Sequence, residues 1–170
     1  MSFAWSPGGD FGSPTYSLPI RVVDYTRSTF IGKRRLRWRE ACDRALDSWE
    51  LPFALETAPE VEQAYRATSE SVSVFSVNPL IVPDAIALVR LHIEESPDSA
   101  GWIDEMGGGI CLFVAWRGWW EPFPIAEVAR IIAHEVGHAL GFGHGGNGVM
   151  MGNIHPNLEE RALASAYYQS

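Results

Sequence analysis

His134-Glu135-Val136-Gly137-His138-Ala139-Leu140-Gly141-Phe142-Gly143-His144, followed closely by Val149-Met150-Met151, is the stretch on which the reading of this chain turns. A helix over Ile125 to Leu140 sets His134 and His138 four residues apart, on one face and one turn from each other. Two imidazoles so placed can reach one ion. Gly141 then ends the helix, because a residue without Cβ takes the left-handed conformation that turns the chain. The turn carries His144 back towards the first two histidines. Three neutral imidazoles with a fourth position left open form the donor set of a catalytic zinc site. Glu135, rotated away from the ligand face, is placed to act on a zinc-activated water without being a ligand.

Working outward, Ser6 to Thr15 is rich in Gly, Pro and Ser, and residues 1–17 read as an irregular N-terminal arm. Leu18 to Tyr25 is β-branched and bounded by turn residues, which predicts a first strand. From Arg34 to Glu50, Trp38, Cys42, Ala45 and Trp49 recur at helical spacing, with Arg and Glu on the other face. Pro52 stops that helix, and Phe53-Ala54-Leu55 follows as a short strand. Ala58 to Ala67 reads as a brief surface helix, and Val72 to Val77 alternates as a strand. Ile86 to Ile93 is apolar enough to lie centrally in a sheet. An acidic loop with Glu94, Glu95, Asp98 and Asp104 precedes a last strand, Ile110 to Trp116. Trp119, Trp120, Pro122 and Pro124 then bend the chain into the histidine helix. Past Met151, Asn157 with Glu160 three residues on predicts a capping-box start to a final helix through Tyr168.

The 170 residues suit one domain, 1–170, with a real core. A formal charge of -8 and the lack of any basic run argue against nucleic acid and against an anionic membrane surface. No apolar stretch is long enough to span a bilayer. Met1 to Pro7 lacks the charged start and apolar run of a secretory signal peptide, so the protein works where it is made or a leader was removed. Cys42 and Cys111 are too few for a disulfide scaffold; two buried thiols are expected, with a single bridge as the alternative.

The HExxHxxGxxH spacing with a downstream methionine resembles the metzincin signature. The order strand, helix, several strands, histidine helix, methionine turn and final helix is similar to that clan. Within it the chain looks most like the matrixins: Ala41 to Trp49 resembles their first helix, Ala133 to Gly141 their zinc helix, and Leu158 to Tyr168 their last helix. The resemblance implies an α+β, zincin-like catalytic domain with a twisted, mostly parallel sheet and an antiparallel edge strand. It implies a zinc-dependent endopeptidase, a metalloprotease and hydrolase, with one catalytic zinc on His134, His138 and His144 and Glu135 as general base. It further implies a methionine turn in which Met150 is favoured over Met151 beneath the zinc, and a protein or peptide substrate laid as an extended strand near Gly101 to Met106. Arg130, one turn before His134, would reach the floor of the pocket for the residue after the cut, or else turn aside to pair with Glu127. His155 could touch substrate, although an ordinary exposed histidine is the simpler expectation. The family suggests secretion; a monomer is expected.

The departures are equally specific. Matrixins often carry a second, structural zinc, but only His92 and His155 are to spare, so none is expected. Their inhibitory propeptide cysteine motif is absent, and Ala58 to Pro83 looks like an insertion. The acidic loop from Glu94 to Gly109 could hold calcium, though a solvated loop accounts for it as well. Two other readings compete. In gluzincins the third ligand is a glutamate about twenty residues past the second histidine, near Glu159 and Glu160. A non-catalytic module could keep the zinc fold only to bind a partner, although its usual mark, loss of the general base, is missing here.

Overall fold

The computed structural model describes residues 3–5, 16–24, 33–57, 85–93, 101–106, 109–117 and 125–169. Four parallel strands and an antiparallel fifth form one sheet in the order β3-β2-β4-β6-β5. These are β2 (Ile20–Asp24), β3 (Phe53–Thr57), β4 (Ala85–Ile93), β5 (Gly101–Met106) and β6 (Gly109–Arg117). Parallel neighbours need a crossover, and α1 (Lys33–Ser48) supplies it between β2 and β3. The class is α+β, with three α-helices among the described residues: α1, α2 (Ile125–Leu140) and α3 (Leu158–Tyr168).

Side-chain alternation explains which face of the sheet is covered. Ile20 and Val22 on β2, and Ile86 and Leu88 on β4, are fully buried and join one core with both long helices. The α1 stripe Trp38, Cys42, Ala45 and Trp49 is buried in that core, while Glu40, Asp43, Arg44 and Asp47 stay in solvent. β4 is central, between β2 and β6, as its apolar run predicts. α2 buries ten of its sixteen residues, which leaves only a narrow strip for the histidines.

Three differences from the sequence expectations have a common cause. Phe3–Trp5, in the arm read as irregular, form strand β1 and pair antiparallel with β7 (Phe142–Gly145). Gly101–Met106, read as part of an acidic loop, forms β5, antiparallel to β6 in register Gly101↔Val114 to Met106↔Gly109. The first strand begins at Ile20, after Pro19, and the second extends to Thr57. Each boundary is set by pairing with a partner strand, the next one along for β5 and distant ones for the others, which local pattern does not carry. The Ser6–Thr15 stretch, the expected helix at Ala58–Ala67 and strand at Val72–Val77, Glu94 to Ala100, and Trp119 and Trp120 lie outside the described residues. Cys42 is a buried thiol on α1; Cys111 lies on β6, its side chain outside the described ones.

Candidate metal centre

The helix expected over Ile125–Leu140 forms over those residues. Gly141, at φ 113°, takes the backbone conformation that side chains resist, and its N–H closes on the His138 carbonyl at 3.0 Å. β7 follows at once and carries His144. The three imidazoles meet: Nε2 of His134 lies 3.2 Å from Nε2 of His138 and 3.2 Å from that of His144, and the last two are 3.1 Å apart.

The opposite ring nitrogens fix the chemistry of this meeting. His134 Nδ1 donates to the Val149 carbonyl and His138 Nδ1 to the Phe142 carbonyl, each at 2.8 Å. A carbonyl oxygen only accepts, so both Nδ1 atoms carry protons and both Nε2 atoms of the neutral rings present lone pairs. Lone pairs facing one another at this distance repel unless a cation lies among them. Tetrahedral zinc with bonds of ~2.05 Å holds its nitrogens about 3.3 Å apart, close to the spacing seen. The donor set therefore fits zinc. Among the described residues, this triad is the group of His, Cys, Asp or Glu side chains close enough to share a metal ion. Burial lowers the pKa of His134, a direction only partly offset by the hydrogen bond to Val149, and so favours the neutral ring a metal needs.

Glu135 is 6% exposed, and burial alone raises its pKa to about 7. A carboxyl so tuned can take and return a proton near neutrality. Arg130 sits one turn ahead of His134, partly buried, with its guanidinium paired to both carboxylate oxygens of Glu127. His155 is exposed.

Linked to His134 through the Val149 carbonyl, Val149–Met151 form a single 3-10 turn. Met150 is 1% exposed and lies against Gly137, where a Cβ would overlap Met150 Sδ and come within 2.9 Å of Trp49 Cζ2. Met151 points outward, 57% exposed. Trp49 at the end of α1 donates its indole N–H to the Ala133 carbonyl at 3.0 Å and packs on Phe142, with ring centroids 5.2 Å apart. Tyr168 hydroxyl donates to the Leu140 carbonyl at 3.0 Å, tying the end of α3 to the end of α2.

Two residues here exceed what the sequence conveyed. Asn157 and Glu160 make the expected capping box on α3. Glu160 is also fully buried, and its carboxylate accepts the N–H groups of Val149 (2.9 Å) and Met150 (3.0 Å) as well as that of Asn157 (2.8 Å). Gly148 makes room for it, since a Cβ there would overlap the carboxylate. The S/T/N-x-x-E pattern pointed to Glu160, but its second task depends on a contact across the loop. With three backbone donors on Glu160, and Glu159 exposed, the glutamates of the gluzincin reading stand apart from the triad.

No family model matches the chain, and no curated protein matches it in sequence. Among solved structures, archaemetzincin from Methanopyrus kandleri is similar, with a TM-score of 0.57 and 15% identity over 89% of this chain and 96% of that one. The chain has an archaemetzincin-like fold. At that identity the likeness is one of fold, and the histidine triad is what this chain's own residues add to it.

Proposed function

We propose that this chain is a zinc-dependent endopeptidase. The observation that carries the reading is the convergence of three Nε2 atoms at 3.1–3.2 Å, two of them with Nδ1 committed to a backbone carbonyl, together with the buried carboxyl of the next residue along from His134, Glu135, whose pKa is raised to about 7. The fold likeness to archaemetzincin supports it. A zinc ion bound at the triad would supply Lewis acidity, lowering the pKa of water and polarising a scissile carbonyl. His134 and His138 hold their rings in place through backbone carbonyls. Glu135 takes the proton from the attacking water and returns it to the leaving amine. Met150 and Gly137 pack the floor beneath the rings. β5, one of the two edge strands of the sheet among the described residues, offers the backbone edge on which an extended protein or peptide substrate would lie.

The matrixin subdivision rests on the sequence resemblance of α1, α2 and α3. Calcium draws no support: Glu94 to Ala100 lies outside the described residues, and Asp104 falls on β5. Arg130 is paired with Glu127, the alternative the sequence left open, and the pocket role is a proposal within this reading. Profiling cleavage sites for the wild type and Arg130→Leu tests that role: new acceptance of large aromatic residues after the cut is expected, and identical profiles would sink it.

The function itself is tested by metal analysis of the purified protein together with cleavage of an unstructured protein, with and without a chelator. About one equivalent of zinc and chelator-sensitive cleavage are expected. Zinc without cleavage would point to the non-catalytic module, and no zinc would overturn both.

A further inference from the structure

Glu160 touches none of the three imidazoles, yet one peptide group separates it from His134. Its Oε2 accepts the Met150 N–H at 3.0 Å. The carbonyl of that same peptide group belongs to Val149, and it accepts the His134 Nδ1 proton at 2.8 Å. The Val149–Met150 peptide is thus gripped on both sides, by a carboxylate at its N–H and by an imidazole at its C=O. Oε1 holds the preceding peptide through the Val149 N–H at 2.9 Å, so the plane of the bridge cannot rotate freely. An anionic acceptor at an N–H polarises the amide and strengthens its carbonyl as an acceptor. A stronger acceptor at Nδ1 leaves more electron density at Nε2, the atom that faces the triad.

We propose that Glu160 is a positioning residue of the metal centre, acting through the Val149–Met150 peptide to fix the His134 ring and raise its donor strength. The inference rests on the triad being a zinc site and adds a residue to it. Helix capping alone does not explain the arrangement. A capping box needs Glu160 to reach only the Asn157 N–H, whereas here the whole carboxylate is buried, Gly148 leaves it space, and two further N–H groups converge on it.

The test separates the two duties of Glu160. Glu160→Gln keeps the size of the side chain but turns an NH2 group or a weaker acceptor towards the bridge. Asn157→Ala removes the other half of the cap and leaves the bridge intact. Zinc affinity is measured by competition with a chromophoric chelator, and the site geometry by the visible spectrum of the cobalt-loaded protein. Glu160→Gln is expected to bind zinc about 10- to 100-fold more weakly and to shift the cobalt bands. Asn157→Ala is expected to match the wild type in both. Equal affinity in Glu160→Gln and the wild type, or the same loss in Asn157→Ala, would overturn the proposal. If Glu160→Gln does not fold, hydrogen exchange in the unaltered protein decides. Slow exchange at the Met150 amide and the His134 Nδ1 proton supports the bridge, and rapid exchange at either overturns it. A wild type that binds no zinc would instead remove the metal reading itself.

Discussion

Burial drives both His134 and Glu135 towards their uncharged forms, but the two have opposite consequences for pH. Glu135 rises from 4.5 to about 7 on folding, so between those values the folded protein holds a proton the unfolded chain has lost. Stability of the zinc-stripped protein should therefore fall as pH rises through that window, by on the order of 3 kcal/mol, with the full cost present above it. His134 is lowered from 6.5, so its contribution is lost in the other direction, as pH falls below that value. Urea midpoints of the wild type and Glu135→Gln across the range should diverge: the substitution removes the alkaline slope and leaves the acid one. A wild-type slope unchanged by Glu135→Gln would mean that the carboxyl is not held protonated. With zinc loaded, the same substitution should keep about one equivalent of metal while cutting proteolysis by roughly 10²- to 10⁴-fold. His144→Ala should lose zinc affinity sharply and Glu159→Ala should not, which equilibrium dialysis would show.

At the level of elements, what was legible in the sequence was periodic or locally capped. Trp38, Cys42, Ala45 and Trp49 mark the buried stripe of α1, the histidine spacing and Gly141 mark the span of α2, and Asn157 with Glu160 marks the start of α3. The triad followed from the same spacing. The short strands were less visible, because Phe3–Trp5 and Gly101–Met106 are strands only by virtue of partners elsewhere in the chain. Packing between elements was likewise hidden. Gly137 reads as a weak residue in mid-helix, yet its missing side chain is what lets Met150 and Trp49 close beneath α2. Gly137→Ala would gain roughly 0.8–1 kcal/mol of helix propensity. Overpacking typically costs about 1–3 kcal/mol, and the flat Trp49 ring has little room to retreat. A net loss of about 1 kcal/mol is expected in chemical denaturation, and a stabilised variant would show that the contact relaxes freely.

For the molecule as a whole, the centre sits where α2, β7 and the Val149–Met151 turn meet, with α1 and α3 fastened to the two ends of the motif through Trp49 and Tyr168. Binding at a place built from so many elements should stabilise all of them together. At free zinc roughly 100 times its dissociation constant the gain is about 2.7 kcal/mol, so a chelator should lower the Tm as one cooperative transition. An unchanged Tm would mean that the ion contributes nothing to the fold. The pairing of β1 with β7 adds a consequence in time. Phe3 meets Gly145, beside His144, across about 140 residues of intervening chain, and closures of that length are the slow ones. On the ribosome β1 must wait, unpaired, until β7 has emerged. The strand that carries the third histidine therefore gains its β1 partner late in the making of each new molecule.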